Sequence, residues 1–296
     1  MKRLMKWAGY GLAGVAGLLL VVMGGAYAVS EAMIRWPVAR PKVQLVASTD
    51  PGAVARGARV AKLNGCQDCH GERLQGLLFH DEMPIVRLWA PNLSRAIAEQ
   101  TDAELDGAIR HGVAADGRRL WVMPSSAFAH LTDQETADLL AYLRTFKPTG
   151  ERQPRIQVGP VGRIGVLMGQ FKSEPDMIAA NGAGLKLVDL GPEHAQGREL
   201  ARACVECHGQ SLEGNKLAKS PDLSIAASYD PEDFARLLHT GIAAGDRKLG
   251  LMSQIAPVRF GGLTSEEVAA LQGYLKARAA RQIAVADATS QPVQQR

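Results

Sequence analysis

The segment CQDCHGERLQG, residues 66–76, brings two cysteines and a histidine together ahead of two glycines. A near copy, CVECHGQSLEG, occupies residues 204–214. The two segments contain all four cysteines of the chain. The chain therefore contains two copies of whatever site this motif forms.

The spacing C-x-x-C-H is the attachment pattern of c-type haem. Each thiol adds to one vinyl group of the porphyrin, and the next histidine is placed to ligate the iron from one face. The sequence therefore predicts two covalently bound haem c groups, with His70 and His208 as iron ligands. The attaching thiols are those of Cys66, Cys69, Cys204 and Cys207.

Three other uses of paired cysteines stay open at this point. An exported chain can oxidise its thiols to structural disulfides. A thioredoxin-like dithiol also uses C-x-x-C, although it needs a βαβ context that this sequence does not suggest. The third alternative is a zinc site built from both cysteine pairs.

The two halves also align well beyond the attachment segments. RHGVAADGRRLWVM, residues 110–123, matches HTGIAAGDRKLGLM, residues 239–252, and both blocks end in methionine. Methionine is the only residue able to bind iron that recurs at matched positions in this way. Recurrence at one offset favours a ligand over an adaptable core filler. We therefore predict Met123 and Met252 as the second iron ligands.

The remaining candidate ligands have no counterpart in the other half. His111 and His239 come close in the alignment, but they are one residue out of step. We expect both to be surface or hydrogen-bonded polar groups. The same expectation covers His80, His130 and His194.

Length and composition indicate two small domains with little bulky side-chain material. The chain has 296 residues, above the ~100–150 typical of one domain, and its aromatic content is only 5%. Its formal charge of +4 is concentrated in residues 1–49, which hold six Lys or Arg and one acid. Neither repeat carries a basic patch, so the composition predicts no nucleic-acid partner.

The N-terminus is a targeting segment. Basic residues precede an uncharged apolar stretch, Trp7–Ser30, which as a helix is long enough to cross a ~30 Å hydrocarbon layer. Ala26-Tyr27-Ala28 also resembles the cleavage site of a secretory signal. We expect residues 1–33 to be a retained anchor, with a cleaved signal as the alternative. The expected location is a bacterial inner membrane, with both repeats facing the periplasm.

Helix signals help to divide the chain. Thr132 with Glu135, and Thr264 with Glu267, match the capping box that opens a helix. We expect the linker between the repeats to be irregular; its one apolar run, IGVLMGQF at 164–171, either contacts a partner or covers a domain edge. The predicted parts are an anchor or signal at 1–33, a juxtamembrane linker at 34–49, a first domain at 50–147, a Pro- and Gly-containing linker at 148–190, a second domain at 191–281 and a disordered tail at 282–296.

Each half resembles a class I cytochrome c domain, and the tandem is similar to the membrane-associated cytochrome c subunits of exported dehydrogenases. The resemblance covers roughly residues 50–147 and 190–280, and both attachment segments make it specific. It implies an all-α fold of two tandem domains, each wrapped round a covalent haem, after an N-terminal membrane helix. In that family the proline of a P-N-L segment offers its carbonyl to the ligand histidine. This implies supporting roles for Pro91 and Pro221.

The resemblance also implies one close helix crossing in each domain, where a small residue of the first helix meets an aromatic residue of the last. The matching pairs are Gly57 with Tyr142 and Gly197 with Tyr274. Two features depart from the family pattern. A third attachment motif, frequent in the family, is missing, and Ser253 follows Met252 where a proline is usual.

Ligation by histidine and methionine leaves iron no open position and raises its potential, which suits one-electron relay. We therefore expect a membrane-anchored protein that relays single electrons from a dehydrogenase or a quinol-oxidising complex to a terminal oxidase or another cytochrome. The alternative is a two-haem redox enzyme, such as a peroxidase or a thiosulfate dehydrogenase. Such an enzyme needs an exchangeable ligand, so visible spectra with carbon monoxide or peroxide distinguish the two.

Basic residues stand shortly before each predicted methionine ligand: Arg118 and Arg119 in the first repeat, Arg247 and Lys248 in the second. Three roles are open for them, namely pairing with haem propionates, docking an acidic partner, or plain solvation. We expect these side chains to lie near the rim of each haem.

Overall fold

The computed structural model describes residues 2–182, 184–216 and 219–290, and it is mostly helical. The α-helices are α1 Lys2–Arg35, α2 Ala53–Leu63, α3 Cys66–His70, α4 Leu93–Glu99, α5 Asp102–His111, α6 Ser125–Phe128, α7 Asp133–Leu143, α8 Pro160–Leu167, α9 Glu174–Asn181, α10 Ala195–Ala201, α11 Val205–His208, α12 Pro231–Thr240, α13 Leu251–Phe260 and α14 Ser265–Ser290. Short 3-10 helices occupy Pro192–His194, Arg202–Cys204, Leu223–Ser228 and Ala244–Asp246. The strands are β1 Leu77–Glu82, β2 Val86–Ala90, β3 Gln157–Val158, β4 Ile242–Ala243 and β5 Arg247–Lys248.

Helix α1 is long and apolar enough to cross a membrane over Met5–Arg35, with a mean hydropathy of 2.1 in its most apolar window. A retained anchor and a signal sequence both fit that finding. Only the end of α1 packs on the rest of the protein, through the buried side chains of Ser30 and Ile34. The chain then runs along the first domain, where the Ser48 amide donates to the Ala137 carbonyl at 2.9 Å.

Each domain is organised by one close crossing between its first and last helices. A Cβ on Gly57 of α2 would overlap the Asp138 carbonyl and approach Tyr142 of α7. In the second domain, a Cβ on Gly197 of α10 would overlap the Ala270 carbonyl and lie 2.7 Å from the Cβ of Tyr274 in α14. Both predicted crossings are therefore confirmed, and glycine is needed at each because the backbones touch.

The last helix of each domain opens with the predicted capping box. In α7, the Thr132 amide donates to Glu135 Oε2 at 2.8 Å, and the Glu135 amide donates to Thr132 Oγ1 at 3.2 Å. The same two bonds join Thr264 and Glu267 at 3.0 and 3.2 Å. These reciprocal bonds satisfy backbone N–H groups that have no partner inside the helix.

The first domain also contains a small sheet that the helical prediction did not include. Strands β1 and β2 are antiparallel, with Leu77 opposite Ala90, and β3 adds to the other edge of β2. The hairpin occupies the stretch between Gly76 and Pro91, which in the second half is reduced to the few residues between Gly214 and Pro221. The sheet is thus an insertion in an otherwise helical domain.

The linker at 148–190 is not irregular throughout, so that prediction was wrong in part. It contributes β3 to the sheet and forms helices α8 and α9. Helix α8 packs against α1 and the hairpin, which explains how a segment with three glycines in eight residues around 162–169 becomes ordered.

The last helix of the second domain extends past the predicted domain boundary. Helix α14 continues to Ser290, so residues 282–290 are helical where the sequence predicted a disordered tail. The rest of the predicted tail, 291–296, lies outside the described residues. The side chain of Ala279 in α14 is buried, whereas Ile283 is 63% exposed, so the core of the domain ends before the helix does.

Candidate functional site

The first attachment segment forms the short helix α3 and ends in a buried histidine. His70 is 7% exposed, and its Nδ1 donates to the Pro91 carbonyl at 2.9 Å. Burial lowers the pKa of His70, so its imidazole is neutral. Since Nδ1 carries the proton, Nε2 keeps the lone pair that a metal ligand needs. Gly71 then ends the helix with a φ of 80°.

The second attachment segment repeats this geometry closely. His208, at the end of α11, is 8% exposed, and its Nδ1 donates to the Pro221 carbonyl at 2.8 Å. Burial also lowers the pKa of His208. Gly209 ends the helix with a φ of 81°. Pro91 and Pro221 therefore occupy matched positions, each fixing the ring orientation and tautomer of one histidine.

The cysteine thiols argue against two of the alternative chemistries. All four are free rather than paired in disulfides. Burial raises the pKa of Cys66 to about 12 and that of Cys69 to about 11, whereas a redox-active dithiol depends on a lowered thiol pKa. Burial raises the pKa of Cys204 to about 12 as well.

A zinc site finds no support either. Within residues 2–182, 184–216 and 219–290, no group of three or more His, Cys, Asp or Glu side chains converges as a metal site. The donor set suits haem attachment instead. In each domain, two thiols stand one helical turn apart beside a neutral histidine, and a half-buried methionine packs against the same core.

Met123 lies in an irregular segment directly before α6. The side chain is half-buried and packs against the hydrophobic core, as does Cys66. The loop is held from outside by α9, since Glu174 Oε2 accepts from the Ser126 amide at 2.7 Å. It is also tied to α1, because Trp121 Nε1 donates to the Ile34 carbonyl at 3.2 Å.

Met252 lies in a different local structure. It is the second residue of α13, half-buried and packed against the core together with Cys204. The loop before it is exposed from Gly245 to Leu251. Its shape is held mainly by the short β4–β5 ladder and by the Leu249 amide, which donates to Ser253 Oγ at 2.7 Å. The serine that replaces the usual proline thus has a structural use.

Three of the other histidines have nearby polar partners, whereas Nδ1 of His130 is buried without a hydrogen bond in the described part of the chain. His239 Nε2 bonds to the Leu263 carbonyl at 3.2 Å, and His80 Nε2 lies 3.1 Å from Glu82 Oε2. His111 Nε2 is 3.8 Å from Asp106 Oδ2. Burial lowers the pKa of His130 to about 4, which keeps that ring neutral. His194 lies in the 3-10 helix that precedes α10.

One residue that sequence reasoning missed joins the two attachment segments. Arg259 of α13 is only 5% exposed; its Nε donates to Asp68 Oδ2 at 2.7 Å, and its Nη1 donates to Glu206 Oε2 at 2.6 Å. Asp68 and Glu206 are the third residues of the two C-x-x-C-H motifs. The matched acids were the available signal, but nothing in the sequence pointed to an arginine in the second domain as their shared partner.

Comparison with known proteins identifies both halves. A family model described as Cytochrome c matches residues 54–147 and 194–279. The two matches contain both attachment segments, both proline carbonyls and both methionines described above.

Several relatives are similar to this chain in sequence. The chain is 29% identical over 213 residues to "Diheme cytochrome c-type" of Cereibacter sphaeroides, covering 65% of this chain and 68% of the relative. It is 27% identical over 273 residues to "Fructose dehydrogenase cytochrome subunit" of Gluconobacter japonicus, covering 80% and 55%. It is 31% identical over 177 residues to "Alcohol dehydrogenase (quinone), cytochrome c subunit" of Gluconacetobacter polyoxogenes, covering 54% and 36%. The alignments with these two dehydrogenase subunits thus span about half and a third of their lengths.

Proposed function

Because the chain belongs to the cytochrome c family, we propose that it is a membrane-anchored two-haem protein that relays single electrons. Helix α1 anchors it in a bacterial inner membrane, with both haem domains in the periplasm. Electrons arrive from a dehydrogenase or a quinol-oxidising complex and leave to a terminal oxidase or another cytochrome. The names of two relatives, cytochrome subunits of a fructose and an alcohol dehydrogenase, support a dehydrogenase as donor.

The observation that carries this proposal is the contact between the two attachment segments through Arg259. One buried guanidinium bonds to an acid inside each C-x-x-C-H motif, so the two motifs lie side by side across the domain interface. Further contacts that cross the interface join Arg59 to Glu267, Arg202 to Glu135 and to the His130 carbonyl, and Gln210 to the Ser126 carbonyl. Adjacent sites are what electron transfer within a chain requires.

Each residue of the site has a definite task in this proposal. The four cysteines would hold haem c covalently, and the bound iron would supply a one-electron couple. His70 and Met123 would bind the iron in the first domain, and His208 and Met252 would bind it in the second. Pro91 and Pro221 keep the histidine rings oriented, so that the Nε2 lone pair of each is directed away from the backbone partner.

The surface of the second domain supports the proposal that electrons leave the protein there. Arg247 and Lys248 are exposed, and neither forms an ion pair with any residue the structure describes. In the first domain the matched cations are occupied, because Arg118 pairs with Asp116 and Arg119 pairs with Asp176. We assign docking of an acidic acceptor to the free pair in the second domain.

Haem stoichiometry and ligand binding test this function together. We expect two haems per chain that survive acid–acetone extraction, no spectral change when carbon monoxide is added to the reduced protein, and only slow oxidation of the reduced protein by peroxide. A ratio near one would mean that one motif is unused. Binding of carbon monoxide by the wild-type protein, or rapid reduction of peroxide, would instead favour a two-haem redox enzyme.

A further inference from the structure

Helix α8 carries an exposed apolar stripe. Val161 is 49% exposed, Ile164 56% and Met168, at its C-terminal cap, 66%. Their spacing of three and four residues places them on one side of the helix. We call these three side chains the α8 stripe. Phe171, 44% exposed, follows the helix and folds back over Gly165.

The opposite side of α8 is locked onto the protein. Val166 is 3% exposed, and a Cβ on Gly162 would overlap the Ile85 carbonyl of the hairpin. The close approach at Gly162 therefore fixes which side of α8 faces the protein.

The contact between α8 and α1 fixes where the α8 stripe lies relative to a bilayer. Arg163 Nη2 donates to Glu31 Oε2 at 2.6 Å, and Nη1 donates to Ser30 Oγ at 3.0 Å. The same guanidinium stacks 4.0 Å from the ring centre of Tyr27. All three partners lie at the end of the uncharged stretch that begins at Trp7.

That end coincides with the outer boundary of a membrane. At 1.5 Å per residue the stretch is roughly 35 Å long, slightly more than a ~30 Å hydrocarbon core. Tyr27, 56% exposed, and Trp36, 68% exposed, suit the amphipathic boundary where aromatic side chains collect. Exposed Lys172 follows Phe171 directly, and a cation at this height suits lipid headgroups.

We propose that the α8 stripe is a second membrane contact, which lies in the outer membrane–water interface beside α1. The occupant is the lipid surface itself, because α8 packs beside α1 at the level where the apolar span ends. This inference rests on the proposed retention of α1 as an anchor. Its consequence is orientation: one helix alone allows the first domain to tilt, whereas two adjoining contacts fix which side faces the bilayer.

Photolabelling from the lipid phase tests this contact on the unmodified protein. The full-length, haem-loaded chain is placed in nanodiscs whose phospholipids carry a diazirine in the acyl chain, and adducts are mapped by mass spectrometry. We expect adducts on residues 161–171 as well as on α1. Peptides with Ile225 and Val258, which are 52% and 54% exposed in the second domain, serve as controls and should carry about tenfold fewer.

A matched pair of variants sharpens the test. Ile164→Glu with Met168→Glu should reduce labelling of 161–171 about tenfold and leave labelling of α1 unchanged, whereas Ile225→Glu should change neither. If α1 is labelled but the stripe is not, the stripe does not contact the membrane, although α1 still anchors the protein. This is the result expected if the stripe binds a partner protein instead. A labelled stripe on a chain that begins at Val29 would overturn the anchor and leave the surface contact.

Discussion

The two methionine loops have matched sequences but very different surroundings. The loop with Met123 is enclosed by other parts of the chain: Trp121 bonds to the end of α1, Glu174 bonds to the Ser126 amide, and the Glu174 amide donates to the Leu120 carbonyl at 2.8 Å. The loop with Met252 faces outward, with Leu251 61% exposed. The first copy of the motif is therefore enclosed by other parts of the chain, whereas the second is open to solvent.

This difference indicates that the two sites have different roles. The segments that enclose the Met123 loop, α1 and the linker helices, are the parts that have no counterpart around the second domain. The first site is thus the one next to the proposed membrane contact. The second loop is exposed and carries Arg247 and Lys248, which form no ion pair with any described residue and so suit the proposed docking of a diffusing partner.

The largest effect is expected from removing either methionine. Met123→Ala and Met252→Ala should each leave the altered haem covalently attached, open its sixth position to carbon monoxide and lower its potential, within the ~0.8 V range that axial ligands command. Carbon monoxide should bind faster after Met252→Ala, because that loop is exposed. Flash photolysis and redox titration measure both effects.

The exposed Met83, 48% accessible on the hairpin turn, provides the control. Met83→Ala should change neither spectrum nor potential. If a Met123 or Met252 variant keeps a six-coordinate spectrum with an unchanged potential, then an unmatched residue such as His111 is the ligand. Equal carbon monoxide binding rates at the two sites would contradict the contrast between enclosed and open loops.

Loss of Arg259 should be the next largest effect. Arg259→Leu leaves Asp68 and Glu206, each with a side chain only 23% exposed, without their shared partner. Removing one member of a buried ion pair costs ~3–5 kcal/mol, and the partial exposure of the acids favours the low end. Denaturant unfolding followed by haem absorbance measures the loss.

Arg59→Leu is the matched control, since Arg59 also crosses the interface, to Glu267, but its side chain is 45% exposed. An exposed pair contributes ~0–1 kcal/mol, so this variant should be close to wild type. Similar losses of stability in the two arginine variants would show that the Arg259 ion pairs contribute no more than an exposed ion pair.

Charge reversal at the rims compares the domains directly. Arg247→Glu with Lys248→Glu should slow electron transfer to a small acidic copper protein about tenfold at low ionic strength, and added salt should reduce the difference. Arg118→Glu with Arg119→Glu should leave that rate nearly unchanged, because both side chains are already paired within the chain. Stopped-flow absorbance gives the rates. An equal loss in both variants would place docking at both rims.

The smallest effect concerns pH and only the enclosed loop. Burial raises the pKa of Glu174 above its ordinary value of 4.5, so the folded state favours the protonated acid. Its contribution to stability is fully present below 4.5 and is lost as pH rises through the raised pKa. Glu174→Gln keeps the acceptor for the Ser126 amide and should remove this pH dependence from thermal unfolding of the first domain. If the variant keeps the pH dependence of the wild-type protein, ionisation of Glu174 does not affect the stability of the fold.

Sequence reasoning succeeded where a local pattern determines the structure. The capping boxes follow from spacing within one helix, and the glycine–tyrosine crossings were implied by the resemblance to class I cytochrome c domains. It failed for α8, because Gly162 and Gly165 lower helix propensity and are tolerated only through packing against Ile85 and Phe171. Arg259 was out of reach for a related reason, since its partners Asp68 and Glu206 lie 191 and 53 residues earlier in the chain.

The same long separation sets the order in which the domain interface can form. Asp68 and Glu206 both precede Arg259 in the chain, so a chain that emerges from its N-terminus presents both attachment segments before the arginine that joins them. The two ion pairs between the segments therefore form last, when most of the second domain is already present.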